Sequence, residues 1–275
     1  MYVISEQIVM LERPSDRKRL GKVEGLLIDL DGVMYVGDRA IDGARQAVSQ
    51  LKRRGLPVRF VTNTTTRSRA MLHERVVKLD LPIEAHEIIN APRAAARYLL
   101  STGRPRCRFV VSPDVLEEFE GIERDDENPE AIVIGDIGNR WNYDLMSELF
   151  ASLVKGARLI ALHRGRYYQG KDGLVLDIGA FVTGLEFASG VSAIVIGKPS
   201  AAFFHAAASD MGIAPDRAAM VGDDIESDVG GAQRAGLAGI LVKTGKYRSH
   251  LASASTVRPD AVVASIADVP SLMGV

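Results

Sequence analysis

The sequence has almost no cysteine: Cys107 stands alone in 275 residues, so no internal disulfide can form. Arg106 and Arg108 flank it, a setting that can lower a thiol's pKa. The apolar run that follows, Phe109 to Val111, reads instead as a strand, and a half-buried strand thiol is the expectation. An excess of one charge is missing too. Lys and Arg number 34 against 35 Asp and Glu, which leaves no basic footprint for nucleic acid and no polybasic patch for a membrane. No apolar run reaches the ~18 residues of a membrane span. Glu6, Glu12, Arg13 and Asp16 interrupt the first twenty residues, so these are read as no secretory signal. A cytoplasmic, reduced setting is the expectation. No repeat or low-complexity tract occurs, and no Gly-x-Gly-x-x-Gly follows the first apolar run, which argues against a dinucleotide-binding oxidoreductase.

What is present describes a globular chain. Apolar residues make up 47% and charged residues 25%, which excludes disorder. The length suits one large or two modest domains with a sizeable core. Short apolar runs alternate with amphipathic stretches. Gly25 to Ile28 reads as a buried strand, and Pro57 to Val61 as the next. Between them Ala44, Ala47, Val48 and Leu51 keep helical spacing, with Asp42 as the expected cap and Gly55 as the stop. Leu72, Val76 and Leu79 mark a second helix, and Phe204, Ala207, Ala208 and Met211 a later one. Further strands are expected at 109–111, 131–134, 159–162, 193–196, 219–221, 239–242 and 261–263. The alternation predicts an α/β fold with a Rossmann-like parallel sheet covered on both faces. Residues 83–188 differ in texture. They hold Trp141, the Tyr167-Tyr168 pair and an acidic run from Glu123 to Glu127. They are read as an inserted α/β domain, with 23–82 and 189–275 forming the core and 1–22 an extension.

Polar residues follow directly on several of these strands, at the edge where open α/β sheets bind ligands. The first gives Asp29-Leu30-Asp31-Gly32-Val33 and the second Thr62-Asn63-Thr64. Later come Lys198-Pro199-Ser200, then Gly222-Asp223-Asp224 with Asp228 beyond. Each alone reads equally well as a turn, a helix cap or a solvated lysine. Four together, each straight after an apolar strand, point to one site. Carboxylates converging beside an oxygen-rich turn suit Mg²⁺, which takes hard oxygen ligands and shares them with phosphate. The charges of Asp29, Asp31 and Asp223 would be balanced by that cation and Lys198, so a phosphoryl group could approach Asp29 without net repulsion.

These four motifs resemble those of the haloacid dehalogenase superfamily of phosphatases. Val33-Met34-Tyr35-x-Gly37, Ile41-x-Gly43-Ala44 and the long insert between the second and third motifs are similar to the subgroup of nucleotide and p-nitrophenyl phosphatases. Arg166-Tyr167-Tyr168, Lys171 to Leu174, Gly230 to Gln233 and Leu241 to Arg248 resemble the branch of phospholysine phosphohistidine inorganic pyrophosphate phosphatases. The likeness runs from about Gly25 to the C-terminus.

The resemblance implies the following roles. Asp29 is the nucleophile that becomes an aspartyl-phosphate, and Asp31 is the acid and then the base. Thr62, Asn63 and Lys198 bind the phosphoryl group. Mg²⁺ is held by Asp29, the Asp31 backbone carbonyl and Asp223, with Asp228 behind them. The insert is a cap that selects a small phosphorylated substrate, with pyrophosphate and N-phosphorylated amino acids as alternatives to phosphate esters. Related caps often dimerise, which leaves a homodimer open without a sequence stripe that requires it; nucleic acid and membrane are not expected partners. One departure is Ser227, where relatives often carry Thr, and its hydroxyl keeps the same chemistry.

Within the insert, His163, Arg164, Arg166, Tyr167, Tyr168 and Lys171 form a stretch read as a loop, either substrate-facing or a solvated basic surface. Trp141 and Tyr143 are read as cap packing, and no histidine pair has metal-ligand spacing. Two rivals stand beside the phosphatase. One is a phospho-receiver signalling module, against which the Asp-x-Asp spacing and the large insert argue. The other is a non-catalytic phosphate-binding protein, against which the full motif set argues.

Overall fold

The computed structural model describes residues 19–170 and 173–274. In chain order the first elements are β1 (Gly25–Asp29), β2 (Tyr35–Val36), β3 (Arg39–Ala40), α1 (Ala44–Arg53), β4 (Val58–Thr62) and α2 (Arg69–Lys78). There follow β5 (Ile88–Asn90), α3 (Ala91–Ser101), β6 (Cys107–Val110), β7 (Ala131–Ile134), α4 (Tyr143–Val154) and β8 (Arg158–Ala161). The chain continues with β9 (Tyr167–Gly170), β10 (Gly173–Leu176), α5 (Gly179–Ser189), β11 (Ile194–Val195) and α6 (Ala201–Asp210). The last strands are β12 (Ala218–Gly222), β13 (Ala238–Val242) and β14 (Ala261–Val263).

These elements form two compact units. Within the described residues, the first holds 19–61, 75–87 and 204–274; the second holds 62–74, 88–170 and 173–203. The expected α/β class holds in both. In the first unit, parallel strands run in the order β14-β13-β12-β1-β4. Leu26, Leu27 and Ile28 are fully buried, as a strand covered on both faces requires. Helix α1 buries Ala44, Ala47, Val48 and Leu51 at the expected spacing. Its cap differs from expectation. Gly43 holds the N-cap position at φ 79° with no side-chain hydrogen bond, because the chain makes a left-handed turn between Asp42 and the first helical N–H groups. In α2, Leu72 and Val76 are buried, while Leu79 lies beyond the helix end and is half-buried. On α6, Phe204, Ala207 and Ala208 are buried and Met211 half-buried.

The second unit has its own parallel sheet, β11-β8-β7-β6. Its apolar core joins Ile132, Ile134 and Ala161 to Leu149 and Leu153 of α4 and Val182 of α5. Cys107 is fully buried in this sheet, deeper than expected. Burial pushes its thiol up to about 11, against the charge of Arg158 and with that of Glu130. The stretch read as a loop after β8 contains a hairpin instead. Strands β9 and β10 pair antiparallel, with Tyr167 opposite Leu176. Lys171 and the Tyr168 side chain lie outside the described residues. Among the described residues no helix is long and apolar enough to cross a membrane.

Candidate active site

Parallel pairing brings three strand ends together at one edge of the first unit's sheet. Ile28 of β1 lies beside Val221 of β12, and Gly222 beside Leu241 of β13. The residues that follow these positions therefore emerge side by side. Asp29, Asp223 and Asp228 each turn a carboxylate oxygen inward, and these oxygens lie within 4.8 Å of one another. The three residues are 6%, 1% and 1% exposed.

Each of these carboxylates accepts a backbone N–H. Leu30 donates to Asp29 Oδ1 at 2.9 Å, Lys246 to Asp223 Oδ2 at 2.6 Å, and Asp224 to Asp228 Oδ2 at 3.1 Å. Asp228 is delivered by a π-helical turn, Ile225–Gly230. Asp224 caps that turn through Oδ1, which accepts from the Glu226 and Ser227 N–H groups. Burial alone would raise the Asp224 pKa. The N–H and hydroxyl of Ser227, the Lys246 charge and the Glu226 N–H outweigh it and hold the carboxyl below its usual range. A side chain at Gly222 would overlap the Cβ and carboxylate of Asp228, so only glycine admits that close approach.

Three buried carboxylates this close repel one another strongly when ionised. A small divalent cation with oxygen preference fits the donor set. Asp29 and Asp223 of the expected set are in the cluster. Asp228, which the sequence reading put behind the ligands, is there beside them. The Asp31 carboxylate is outside it, and its residue is exposed. Its backbone is nonetheless fixed: Asp31 bridges to Tyr35, Gly32 N–H donates to Tyr35 O at 2.8 Å, and Met34 N–H to Leu30 O at 2.9 Å. Arg75 braces the β2–β3 hairpin that follows. Its guanidinium lies 4.7 Å from the Tyr35 ring centre and donates to Gly37 O at 2.6 Å.

Thr62, Asn63 and Lys198 belong to the second unit, and there two of them are locked together. Asn63 Nδ2 donates to the Lys198 carbonyl and Lys198 N–H donates back to Asn63 Oδ1, both at 2.8 Å. A side chain at Gly197 would strike Leu162 O and Asn63 Oδ1. Thr62 Oγ1 accepts the Thr64 N–H at 3.1 Å and lies 3.0 Å from Thr64 Oγ1. Thr62 and Lys198 are both buried.

His163, Arg164 and Arg166 of the basic stretch after β8 are engaged internally. Arg164 donates to Glu186 Oε2 at 2.6 Å and Thr183 Oγ1 at 3.3 Å. His163 Nε2 lies 3.4 Å from Asp177 Oδ1, and Arg166 sits over the Tyr167 ring. Trp141 stacks on Phe181 with centroids 4.4 Å apart, in keeping with its reading as a packing residue. Tyr143 does not pack: it is 85% exposed, because it opens α4 on the turn facing solvent.

A family model described as haloacid dehalogenase-like hydrolase matches residues 26–123, and one described as "HAD-hyrolase-like" matches 195–269. Haloacid dehalogenase-like hydrolase domain-containing protein 2 of Mus musculus is 44% identical over 227 residues, 82% of this chain and 86% of its own. The chain belongs to the haloacid dehalogenase-like hydrolases. Phospholysine phosphohistidine inorganic pyrophosphate phosphatase of Homo sapiens is 39% identical over 262 residues, covering 93% of this hydrolase and 96% of itself. Among solved structures, 4-nitrophenylphosphatase from Thermotoga maritima superposes with a TM-score of 0.85 at 25% identity, covering 92% and 98% of the two chains. The p-nitrophenyl phosphatase from Archaeoglobus fulgidus gives 0.84 at 28%, covering 91% and 99%. Within this hydrolase, Arg75 carries no motif, whereas the Thr244–Lys246 turn lies in the Leu241 to Arg248 stretch that the sequence reading set apart without giving it a role at the site.

Proposed function

We propose that the protein is a Mg²⁺-dependent phosphatase of small phosphate esters that works through an aspartyl-phosphate. The observation that carries this reading is the buried Asp29, Asp223 and Asp228 cluster at the sheet edge. Asp29, Asp223 and the Asp31 carbonyl would hold the metal, with Asp228 beside them. Bound Mg²⁺ would neutralise these carboxylates and draw charge from a phosphoryl oxygen.

Asp29 attacks phosphorus with a carboxylate oxygen, and the bond from phosphorus to the ester oxygen breaks. Asp31 gives its proton to that departing oxygen. It then takes a proton from water as the water oxygen bonds to phosphorus, and the bond between phosphorus and Asp29 breaks to release inorganic phosphate. The exposure of Asp31 suits a group that must meet both leaving group and water. Thr62 and Asn63 donate to phosphoryl oxygens, and Lys198 offsets their charge. Residues of the insert act as the cap, and the likeness to a phosphatase named for phospholysine, phosphohistidine and pyrophosphate adds phosphoramidates and pyrophosphate to the substrate range. A free, buried Cys107 and a balanced charge suit a cytoplasmic setting.

Phosphate release, followed with Mg²⁺ and with chelator, tests it across p-nitrophenyl phosphate, sugar phosphates, nucleotides, pyrophosphate and a phosphoramidate. The expected result is Mg²⁺-dependent turnover on some of these, absent in Asp29→Asn. Turnover that survives exhaustive chelation, or full activity in Asp29→Asn, overturns the proposal.

A further inference from the structure

Two loops close over a single carboxylate in the cluster. Asp223 Oδ2 accepts the Lys246 N–H at 2.6 Å. Gly32 and Gly245 flank the same oxygen, at φ +87° and +56°. Both values lie in the left-handed region that favours glycine. A methyl group at either position would overlap Asp223 Oδ2, and one at Gly245 would also overlap the Gly32 Cα. The Thr244 hydroxyl donates to the Gly32 carbonyl and ties the two loops together. An aspartate carboxylate ordinarily turns about its last torsion. Here one oxygen is held by a backbone donor and the space around it is walled by backbone, so the direction of the other oxygen is fixed as well.

We propose that the Thr244–Lys246 turn, locked to Gly32, is a positioning element that sets the angle at which Asp223 meets the cation and so favours Mg²⁺ over larger ions. The inference rests on the metal reading above. Its physical basis is that Mg²⁺ demands near-octahedral geometry, whereas Ca²⁺ tolerates irregular ligands at longer distances. A rigid carboxylate serves the first ion and brings little advantage to the second.

The test is thermal unfolding of the metal-stripped full chain against rising Mg²⁺ or Ca²⁺, read as the concentration giving half the Tm shift. Gly245→Ala should raise the Mg²⁺ midpoint roughly 10–100-fold, the usual loss when a residue orienting a ligand is changed. The Ca²⁺ midpoint should move much less. Thr244→Val should shift the Mg²⁺ midpoint in the same direction by less, and Thr244→Ser should restore it. A folded Gly245→Ala protein with wild-type midpoints overturns the inference. If that variant does not fold, wild-type midpoints in Thr244→Val overturn it instead. A wild-type chain whose Tm ignores Mg²⁺ overturns the metal reading itself, an outcome distinct from a wild-type shift that the variants share.

Discussion

The sheet edge around Asp223 and the insert surface around Arg164 both concentrate charge, and they hold it by different means. At the edge, each clustered carboxylate accepts a backbone N–H, and glycines admit the close approaches. On the insert, Arg164 meets Glu186 twenty-two positions away and His163 meets Asp177, side chain to side chain. Backbone donors at strand ends recur with strand geometry, so their residues fall into short motifs. Side-chain pairs between a loop and a helix depend on tertiary placement and leave no fixed spacing. The proposed chemistry rests on the first kind of region, and the second is the more tolerant of change.

The largest effect should come from the edge. On the proposed mechanism Asp29→Asn removes the nucleophile and should cut phosphate release roughly 10⁴-fold or more. The loss is measured on p-nitrophenyl phosphate, with acid-quench trapping of the phosphoenzyme as the companion readout. A loss confined to one substrate would move Asp29 from chemistry to recognition and erase the contrast.

Cys107 tests the sheet of the second unit. With its thiol pushed from 9.0 up to about 11, the native protein should carry about 100-fold less thiolate at pH 8 than an ordinary cysteine, beyond the shielding of burial. Disulfide-exchange labelling should be slow until denaturant is added. The linked stability follows the same sign. Between pH 9 and 11 the unfolded chain has released a proton that the folded chain keeps, so this group lowers stability as pH rises through that window. Fast native labelling would show that the sheet opens readily.

The α/β class was legible because the strands are short apolar runs and the helices keep their spacing, as in β1 and α1. Asp29, Asp223, Thr62, Asn63 and Lys198 were legible as candidates because each follows a strand directly. Asp228 was legible as a carboxylate, but its place in the cluster depends on a π-helical turn that no periodicity announces. The α1 cap was misread because Gly43 turns left-handed where Asp42 looked suitable. The β9–β10 hairpin was missed because its basic and aromatic residues alternate too briefly to register as strands. Tyr143 was misread because its aromatic ring suggested packing, and position at a helix start decided otherwise.

A smaller effect is expected at Gly222. Alanine there forces Asp228 to move, at a cost of about 1–3 kcal/mol in folding stability. Urea denaturation measures the loss, and the Mg²⁺ midpoint should weaken alongside it. Unchanged stability would mean that the turn carrying Asp228 yields easily.

The smallest effect belongs to the insert. Arg164 is 46% exposed in its pair with Glu186, so Arg164→Ala should change stability by less than ~1 kcal/mol and leave kcat/KM alike across the substrate panel. A loss restricted to doubly charged substrates would turn this surface from a solvated one into a recognition site.

The mutual pairing of Asn63 with the Lys198 backbone has a consequence for chemical ageing. A carboxamide here copies the donor and acceptor of a neighbouring peptide unit, so it pairs with Lys198 as one strand pairs with the next. Deamidation would leave the shape of position 63 almost unchanged and replace its donor with an acceptor. The Lys198 carbonyl would then face an anion, and Lys198 would lose one of its two anchors. The exchange of one nitrogen for an oxygen from water, with ammonia released and no change in the gene, is enough to turn this joint from attraction to repulsion.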